Sequence, residues 1–395
     1  MIEALRKTLH KALKRTPVAW LQVSHNPVKL VIGVAGVSFS NILMFFQLGL
    51  LDSIYNSQCE PIRRMQGELM MVSAGYSNLG SLQVFDRSRL YQALGVEGVA
   101  GVSPLHVARG TWITPGTREM FDIFVYGVNL SRPSLAFPEL EVNPSRLQPL
   151  RNALFDRNSK SQYGPIAKDL KSSPFVSVEV NKKQLRIIDT FSLGATFAAD
   201  ANMIVSDNTY FLIFSDKNPS QIEVGLIQLD PGVDPLAVQR AIQPLMPKDV
   251  KVVTRDQLAS MEMSYWKRNS AVGFIFTLGV VVGFVVGSII VYQILFTDVM
   301  NSLPQYATLK AMGYTDAYVI SIVIQQSAIL AVVGFIPGFL ASAALYALLA
   351  NITKLAVIMT ASRALQVLLL TFVMCVGSGS LATRKLVQLD PADVY

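Results

Sequence analysis

Four stretches of this chain carry no charged residue: 30–51, 269–297, 317–353 and 364–383. Each reaches the roughly 20 residues that a helix needs to cross a bilayer core. The pattern therefore predicts four transmembrane helices, the first set apart from the other three by a long insert. The third run would be about 55 Å long as one helix. That exceeds a perpendicular span, so its ends are expected to protrude and Pro337 to kink it. The first run is longer than the apolar core of a signal peptide, about 7–15 residues, and no small-x-small cleavage pattern follows it. It is expected to stay as an anchor.

The insert changes pattern. Segments 68–73, 99–109, 121–128, 175–180, 203–205, 210–214, 224–229 and 250–253 are rich in apolar and β-branched residues and read as strands. Segments 86–94 and 234–246 read as helices, and the Pro- and Ser-containing stretch 131–175 as loops with short helices. Residues 52–64 and 256–268 would continue the adjoining membrane helices outward as a stalk. No internal repeat is evident. The expected fold class is an α+β membrane protein, with four transmembrane helices and a large mixed α/β periplasmic domain inserted between helices 1 and 2. The boundaries are a basic amphipathic arm (1–29), the first span (30–51), the periplasmic domain with helical stalk ends (52–268) and the second span (269–297). A loop (298–316), the third span (317–350), a short periplasmic loop (351–363), the fourth span (364–383) and a tail (384–395) follow.

Charge fixes the expected orientation. The 395-residue chain is 51% hydrophobic and 15% charged, with a net charge of +7. Arg6, Lys7, Lys11, Lys14, Arg15 and Lys29 stand against Glu3 in the first 29 residues. Positive charge favours the cytoplasmic side, so both termini are expected there, in a multi-pass protein of the inner (plasma) membrane. Ile2, Leu5, Leu9 and Leu13 share one helical face and suit a membrane lipid surface. The insert itself is nearly neutral, with 23 basic and 22 acidic residues over 52–268. Nothing resembles a nucleic-acid footprint. Cys59 and Cys375 imply no disulfide framework. Tyr265 and Trp266 precede the second span, where interfacial aromatics are favoured.

Chemistry is notable by its gaps. No phosphate-binding G-x-x-x-x-G-K-[ST] loop exists, so the chain is not expected to hold ATP in a P-loop, and no cofactor is expected on it. The three histidines, His10, His25 and His106, are scattered. No zinc-ligand spacing and no G-x-S-x-G elbow occurs. The chain reads as non-catalytic, without a metal site. No ionisable residue lies deep in a span, which argues against a proton- or sodium-coupled carrier.

Two patterns remain. Gly279, Gly283 and Gly287 repeat every four residues in the second span, and Gly334 and Gly338 do so in the third. Such stripes let another backbone approach closely, either in a dimer or within one bundle. The amides of Asn41, Gln47, Gln293, Gln325 and Gln326 lie at membrane depth and call for interhelical hydrogen bonds. The loop 298–316 is the second pattern. Pro304 can open a helical turn and Gly313 can close it. Tyr306, Leu309 and Met312 would form an apolar knob, with Gln305 and Lys310 beside it. This is either a coupling helix seated in a partner ATPase or an interfacial helix on lipid.

The residues Ala19-Trp20-Leu21-Gln22, the segment 35–49, the loop 303–316 and Gly334-Phe335-Ile336-Pro337-Gly338-Phe339 resemble the DevC permeases of heterocyst-type ABC exporters in cyanobacteria. Asp390-Pro391-Ala392-Asp393-Val394 is similar to the tail of the wider FtsX/MacB-like permease superfamily. The resemblance implies a permease homodimer working with an ABC ATPase that binds ATP and Mg, a periplasmic adaptor (membrane fusion) protein and an outer-membrane TolC-like channel. It implies that ATPase closure moves the coupling helix, and that the stalk transmits this to the ectodomain to export a glycolipid or another amphipathic substrate. The coupling role then falls on Pro304, Gln305, Tyr306, Leu309, Lys310, Met312 and Gly313. The alternative is a mechanotransmission scaffold that regulates a periplasmic enzyme without transport.

Overall fold

The computed structural model describes residue 19 and residues 27–194, 196, 199–353 and 357–383, with side chains left aside at 350–353. The basic arm expected over 1–29 (all but its last residues), Trp20 and the tail with Asp390-Pro391 lie outside the described residues. The chain divides into two compact units, a membrane unit (27–52, 271–352 and 357–383) and an ectodomain (53–270).

In chain order the elements begin with α1 (Pro27–Arg63), β1 (Leu69–Ser73), β2 (Phe85–Asp86), α2 (Arg87–Gln92), β3 (Val99–Ile113) and β4 (Met120–Val128). Next come β5 (Asn152–Asp156), β6 (Val176–Val180), β7 (Lys183–Phe191), β8 (Asn202–Ser206), α3 (Asp207–Ile213), β9 (Gln221–Ile222) and β10 (Val224–Leu229). The chain then forms α4 (Pro235–Ile242), β11 (Val250–Thr254), α5 (Arg255–Asn269), α6 (Ala271–Asn301), α7 (Leu303–Ala311), α8 (Asp316–Thr353) and α9 (Ala361–Ala382). Helices α1, α6, α8 and α9 are long and apolar enough to cross a membrane. Residues 52–63 continue α1 as helix, and 255–269 form helix α5.

The ectodomain holds a nine-strand sheet in the order β11-β1-β10-β3-β4-β8-β5-β7-β6, with β6 also pairing to β3, and a two-strand sheet of β2 and β9. The β6–β3 pairing, Trp112↔Val180 and Ile113↔Glu179, closes six strands into a ring. Large side chains fill the ring: Trp112, Phe155, Tyr163, Met203 and Tyr210 are all buried. The other strands form a wing. In β1, Leu69 and Met71 face Leu90 and Ile242 on α2 and α4. Met70 and Val72 face the opposite side with Leu258 of α5. Burial on both faces explains the uninterrupted apolar run, since strand side chains alternate direction.

The outer edge of the wing is covered. Gln243 Oε1 accepts the Val252 N–H at 2.8 Å, and Gln239 Nε2 donates to the Val252 carbonyl at 2.8 Å. These side chains occupy backbone groups that would otherwise be open to another strand. Thr254 and Gln257 then form a capping box that starts α5.

The sequence reading differs from the fold in three places. Residues 210–214, expected as a strand, belong mostly to helix α3. Ser206 caps it by accepting the Thr209 N–H, and Gly127 leaves room for the Tyr210 ring. Within the stretch expected as loops, 152–156 forms β5 between β8 and β7. Strand β7 was not anticipated at all, because its charged residues interrupt the apolar signal.

Candidate coupling and packing site

The loop between α6 and α8 folds as the turn chemistry dictates. Pro304 sits in the first turn of α7. Gly313 adopts φ 92°, a conformation that favours glycine. The Tyr314 N–H bonds to the Leu309 carbonyl at 3.1 Å and the Gly313 N–H to the Lys310 carbonyl at 2.9 Å. This is the paired closure of a Schellman cap. Lys310 then pairs with Asp316 at 2.8 Å across the turn.

The apolar knob is not built as expected. Tyr306 is buried in the chain's own core with Val299, Val319 and Val323, and Leu309 packs half-buried against it. Met312 alone of the three is exposed, at 63%. Tyr314 and Tyr318 join it, their rings stacked with centroids 4.8 Å apart. Pro304 and Gln305 are also exposed. The outward apolar group is therefore Met312, Tyr314 and Tyr318, while Tyr306 holds α7 down on α6 and α8. Tyr314 and Tyr318 were missed because helical periodicity from Pro304 stops at the glycine, whereas the exposed group continues past it.

The five glycines all meet α1 of the same chain. A Cβ on Gly279 would strike Gln47, one on Gly283 would lie 3.3 Å from Leu43 Cβ, and one on Gly287 would strike Ser40. A Cβ on Gly334 would come within 2.7 Å of Val37, and one on Gly338 within 2.9 Å of Asn41 Cβ. Helix α1 thus lies in contact with both glycine stripes. Of the two readings of these stripes, packing within one bundle is the one seen at all five positions.

Polar side chains pin the same helix. Thr371 Oγ lies 2.5 Å from Asn41 Oδ1 and 2.7 Å from the Val367 carbonyl, while Asn41 Nδ2 has no partner. One hydroxyl hydrogen cannot serve two acceptors. Turning the Asn41 amide over lets Nδ2 donate to Thr371, and Thr371 to Val367. The Ser38 hydroxyl lies 2.6 Å from the Val34 carbonyl of its own helix and 2.9 Å from the Gly334 carbonyl, and Tyr346 donates to the Phe45 carbonyl. Gln326 reaches Asp298 at 3.4 Å. Gln47 lies over Gly279, whereas Gln293 and Gln325 are exposed. Ion pairs sit at both ends of the span: Lys29–Asp298 at 3.7 Å and Asp52–Arg363 at 2.7 Å. The fully buried setting of Arg363, stacked over Tyr346, had no sequence signal beyond its place at a helix start.

The ectodomain holds a separate buried polar cluster. Glu223 accepts from His106 Nδ1 at 3.1 Å, from the Tyr210 hydroxyl at 3.2 Å, and from Lys217. Burial pushes the Glu223 carboxyl up, but the His106 hydrogen bond and the Lys217 charge outweigh it and hold it below its ordinary range. The Tyr210 hydroxyl is raised by burial and by Glu223. A cleft of about 430 Å³ opens beside Arg109, Phe121, Asp122, Tyr163 and Asp200. Among the described residues no His, Cys, Asp and Glu group could hold a metal ion.

Comparison with known proteins bears on the membrane half. Residues 273–391 match the family model described as FtsX-like permease C-terminal. The FtsX-like permease segment thus contains most of α6 and all of α7, α8 and α9, with the turn and both glycine stripes. Among solved structures, the chain is similar to the periplasmic region of MacB from Actinobacillus actinomycetemcomitans. The match is 14% identical, with TM-score 0.35, over 50% of this chain and 94% of that one. It is also similar to the extracellular domain of the noncanonic ABC-type transporter YknZ from Gram-positive bacteria. Here identity is 14% and TM-score 0.33, over 47% of this chain and 99% of that one. At such distance neither likeness carries fold or function across. No curated protein matches the sequence.

Proposed function

We propose that this chain is the membrane subunit of an ATP-driven ABC exporter in the inner membrane. It receives movement from a separate ATPase at α7 and passes it through the stalk to the ectodomain. The observation that carries the reading is the turn from α7 into α8. Its Tyr306 is locked into the bundle while Met312, Tyr314 and Tyr318 face outward, inside the FtsX-like permease segment. A rigidly seated helix with an exposed Met and two aromatics has the chemistry of an interface anchor. Because the helix cannot shift without dragging α6 and α8, force applied there enters the bundle.

The finer parts of the reading come from resemblance. The permease acts as a homodimer, with termini in the cytoplasm. A periplasmic adaptor and an outer-membrane channel complete the path, and the cargo is a glycolipid or a similar amphiphile. Since α1 fills the glycine stripes, a second copy would meet other faces of the bundle. The ATPase holds the nucleotide and Mg; this chain holds none.

The test is co-purification and ATP turnover of the full chain with its nucleotide-hydrolysing partner in nanodiscs. Met312→Asp and Tyr318→Asp should lose the partner or its response to the permease. Both place a charge against an apolar contact, which costs several kcal/mol when it is buried, and neither touches the chain's own core. Retention of binding and of the response in both variants would sink the assignment.

A further inference from the structure

Helix α5 carries one buried acid, Glu262, only 1% exposed. Its Oε2 accepts the Tyr76 hydroxyl at 2.7 Å and the Leu79 backbone N–H at 2.9 Å. Its Oε1 accepts the Trp266 indole N–H at 2.9 Å. All three donors are neutral. Burial raises the carboxyl, and these hydrogen bonds offset that only in part. A leucine at this place would avoid burying a carboxyl but would leave the Tyr76 hydroxyl, the Leu79 N–H and the Trp266 indole N–H without their acceptor.

What the carboxylate adds is direction. Apolar contacts let a helix slide or roll over a core at little cost, because the hydrophobic effect is non-directional. Two oxygens with three fixed donors permit one rotation and one axial position. The donors belong to two places. Trp266 lies one turn further along α5, so its bond fixes the carboxylate rotamer. Tyr76 and Leu79 belong to the turn that leaves β1, itself tied back by the Tyr76 N–H to the Ser73 carbonyl at 2.9 Å. Strand β1 is central in the wing, between β11 and β10. The second stalk segment is fastened to α5 nearby, where Cys59 Sγ donates to the Ala259 carbonyl and Lys267 lies over the Tyr55 ring.

We infer that Glu262 is the positioning residue that clamps the stalk helix α5 to the 76–79 turn, so that axial or rotational movement of α5 is delivered to β1 instead of being lost as slippage. The inference rests on the coupling reading above and specifies where transmitted movement enters the sheet.

The test is hydrogen–deuterium exchange on the full chain with its ATPase in nanodiscs, nucleotide-free against vanadate-trapped. Wild type should show a trapping-dependent change both in 255–269 and in 76–80. Glu262→Gln replaces one acceptor with a donor that faces donors. It should keep the change in 255–269 and lose most of that in 76–80, at an unchanged ATP turnover. Tyr76→Phe and Trp266→Phe remove one bond each, keep the core filled, and should each weaken the transfer. They carry the comparison even where Glu262→Gln fails to fold. An undiminished response of 76–80 in the variants that fold overturns the clamp while leaving the coupling reading intact. A wild type whose 255–269 segment ignores trapping overturns both.

Discussion

The membrane unit and the ectodomain solve packing in opposite ways. In the bundle, close approach is made by leaving atoms out: five glycines on α6 and α8 admit α1 to near backbone contact. In the ectodomain, a ring of six strands is filled by putting atoms in, with Trp112, Phe155 and Tyr163 in mutual ring contact. The solvent explains the contrast. Lipid offers no hydrophobic drive between helices, so fit and hydrogen bonds must hold them. Water rewards burial of large apolar area at about 25 cal/mol per Å². The bundle is therefore sensitive to added volume and the ectodomain to removed volume.

Four experiments would break or sharpen this contrast. The largest effect is expected in the ring, where Trp112→Ala leaves a cavity and should cost about 3–5 kcal/mol, read as a lowered unfolding midpoint of the ectodomain in the full chain. Next is Gly338→Leu, whose Cβ would meet the Ser38 backbone at 3.1–3.2 Å. That neighbour cannot rotate away, so overpacking of about 1–3 kcal/mol or more is expected, with loss of monodisperse protein in detergent. Gly283→Ala meets only side-chain carbons at 3.3 Å and beyond and a carbonyl at 3.7 Å, and should be far milder. Equal damage from both would mean that glycine serves the bundle by flexibility and not by space.

A smaller effect separates the two ends of α1. Arg363 is buried and Asp52 is 54% exposed at 2.7 Å, whereas Lys29 and Asp298 are 3.7 Å apart. Asp52→Asn should cost about 1 kcal/mol after discounting for solvent, and Lys29→Met less, by thermal unfolding in the same detergent. The smallest effects concern pH and the two buried ectodomain acids. Glu223 is held below its ordinary value of 4.5, so its contribution is full above that value and disappears as pH falls through its folded pKa. Glu262 is raised, so its contribution is full below 4.5 and disappears as pH climbs through its folded pKa. Glu223→Gln should flatten the acid side of the melting-temperature profile and Glu262→Gln the side above it. A single shared limb in both variants would show that one cluster governs both.

What the sequence showed follows the same division. Charge-free runs and glycine spacing are local, so the four spans and the Pro304–Gly313 turn could be read directly. The direction of Tyr306 could not, because Val299, Val319 and Val323 lie on two other helices. Most strands of the wing were visible as apolar runs buried on both faces. The ring was less legible: β7 alternates charged with apolar positions, β5 is only five residues long, and closure depends on Trp112 meeting Val180. Residues 210–214 misled because aromatic density resembles a strand, while Ser206 at the helix start decides otherwise. The burial of Glu262 has no signal in the sequence, since nothing nearby announces Tyr76.

The glutamines along β11 carry a consequence for whatever docks outside the membrane. Val252 is already engaged on both its N–H and its carbonyl, so a strand added along β11 would find that rung taken. Anything that meets this edge would therefore have to read the side chains that cover it in place of the β11 backbone, and substitutions among those side chains can alter the fit while the strand beneath stays as it is.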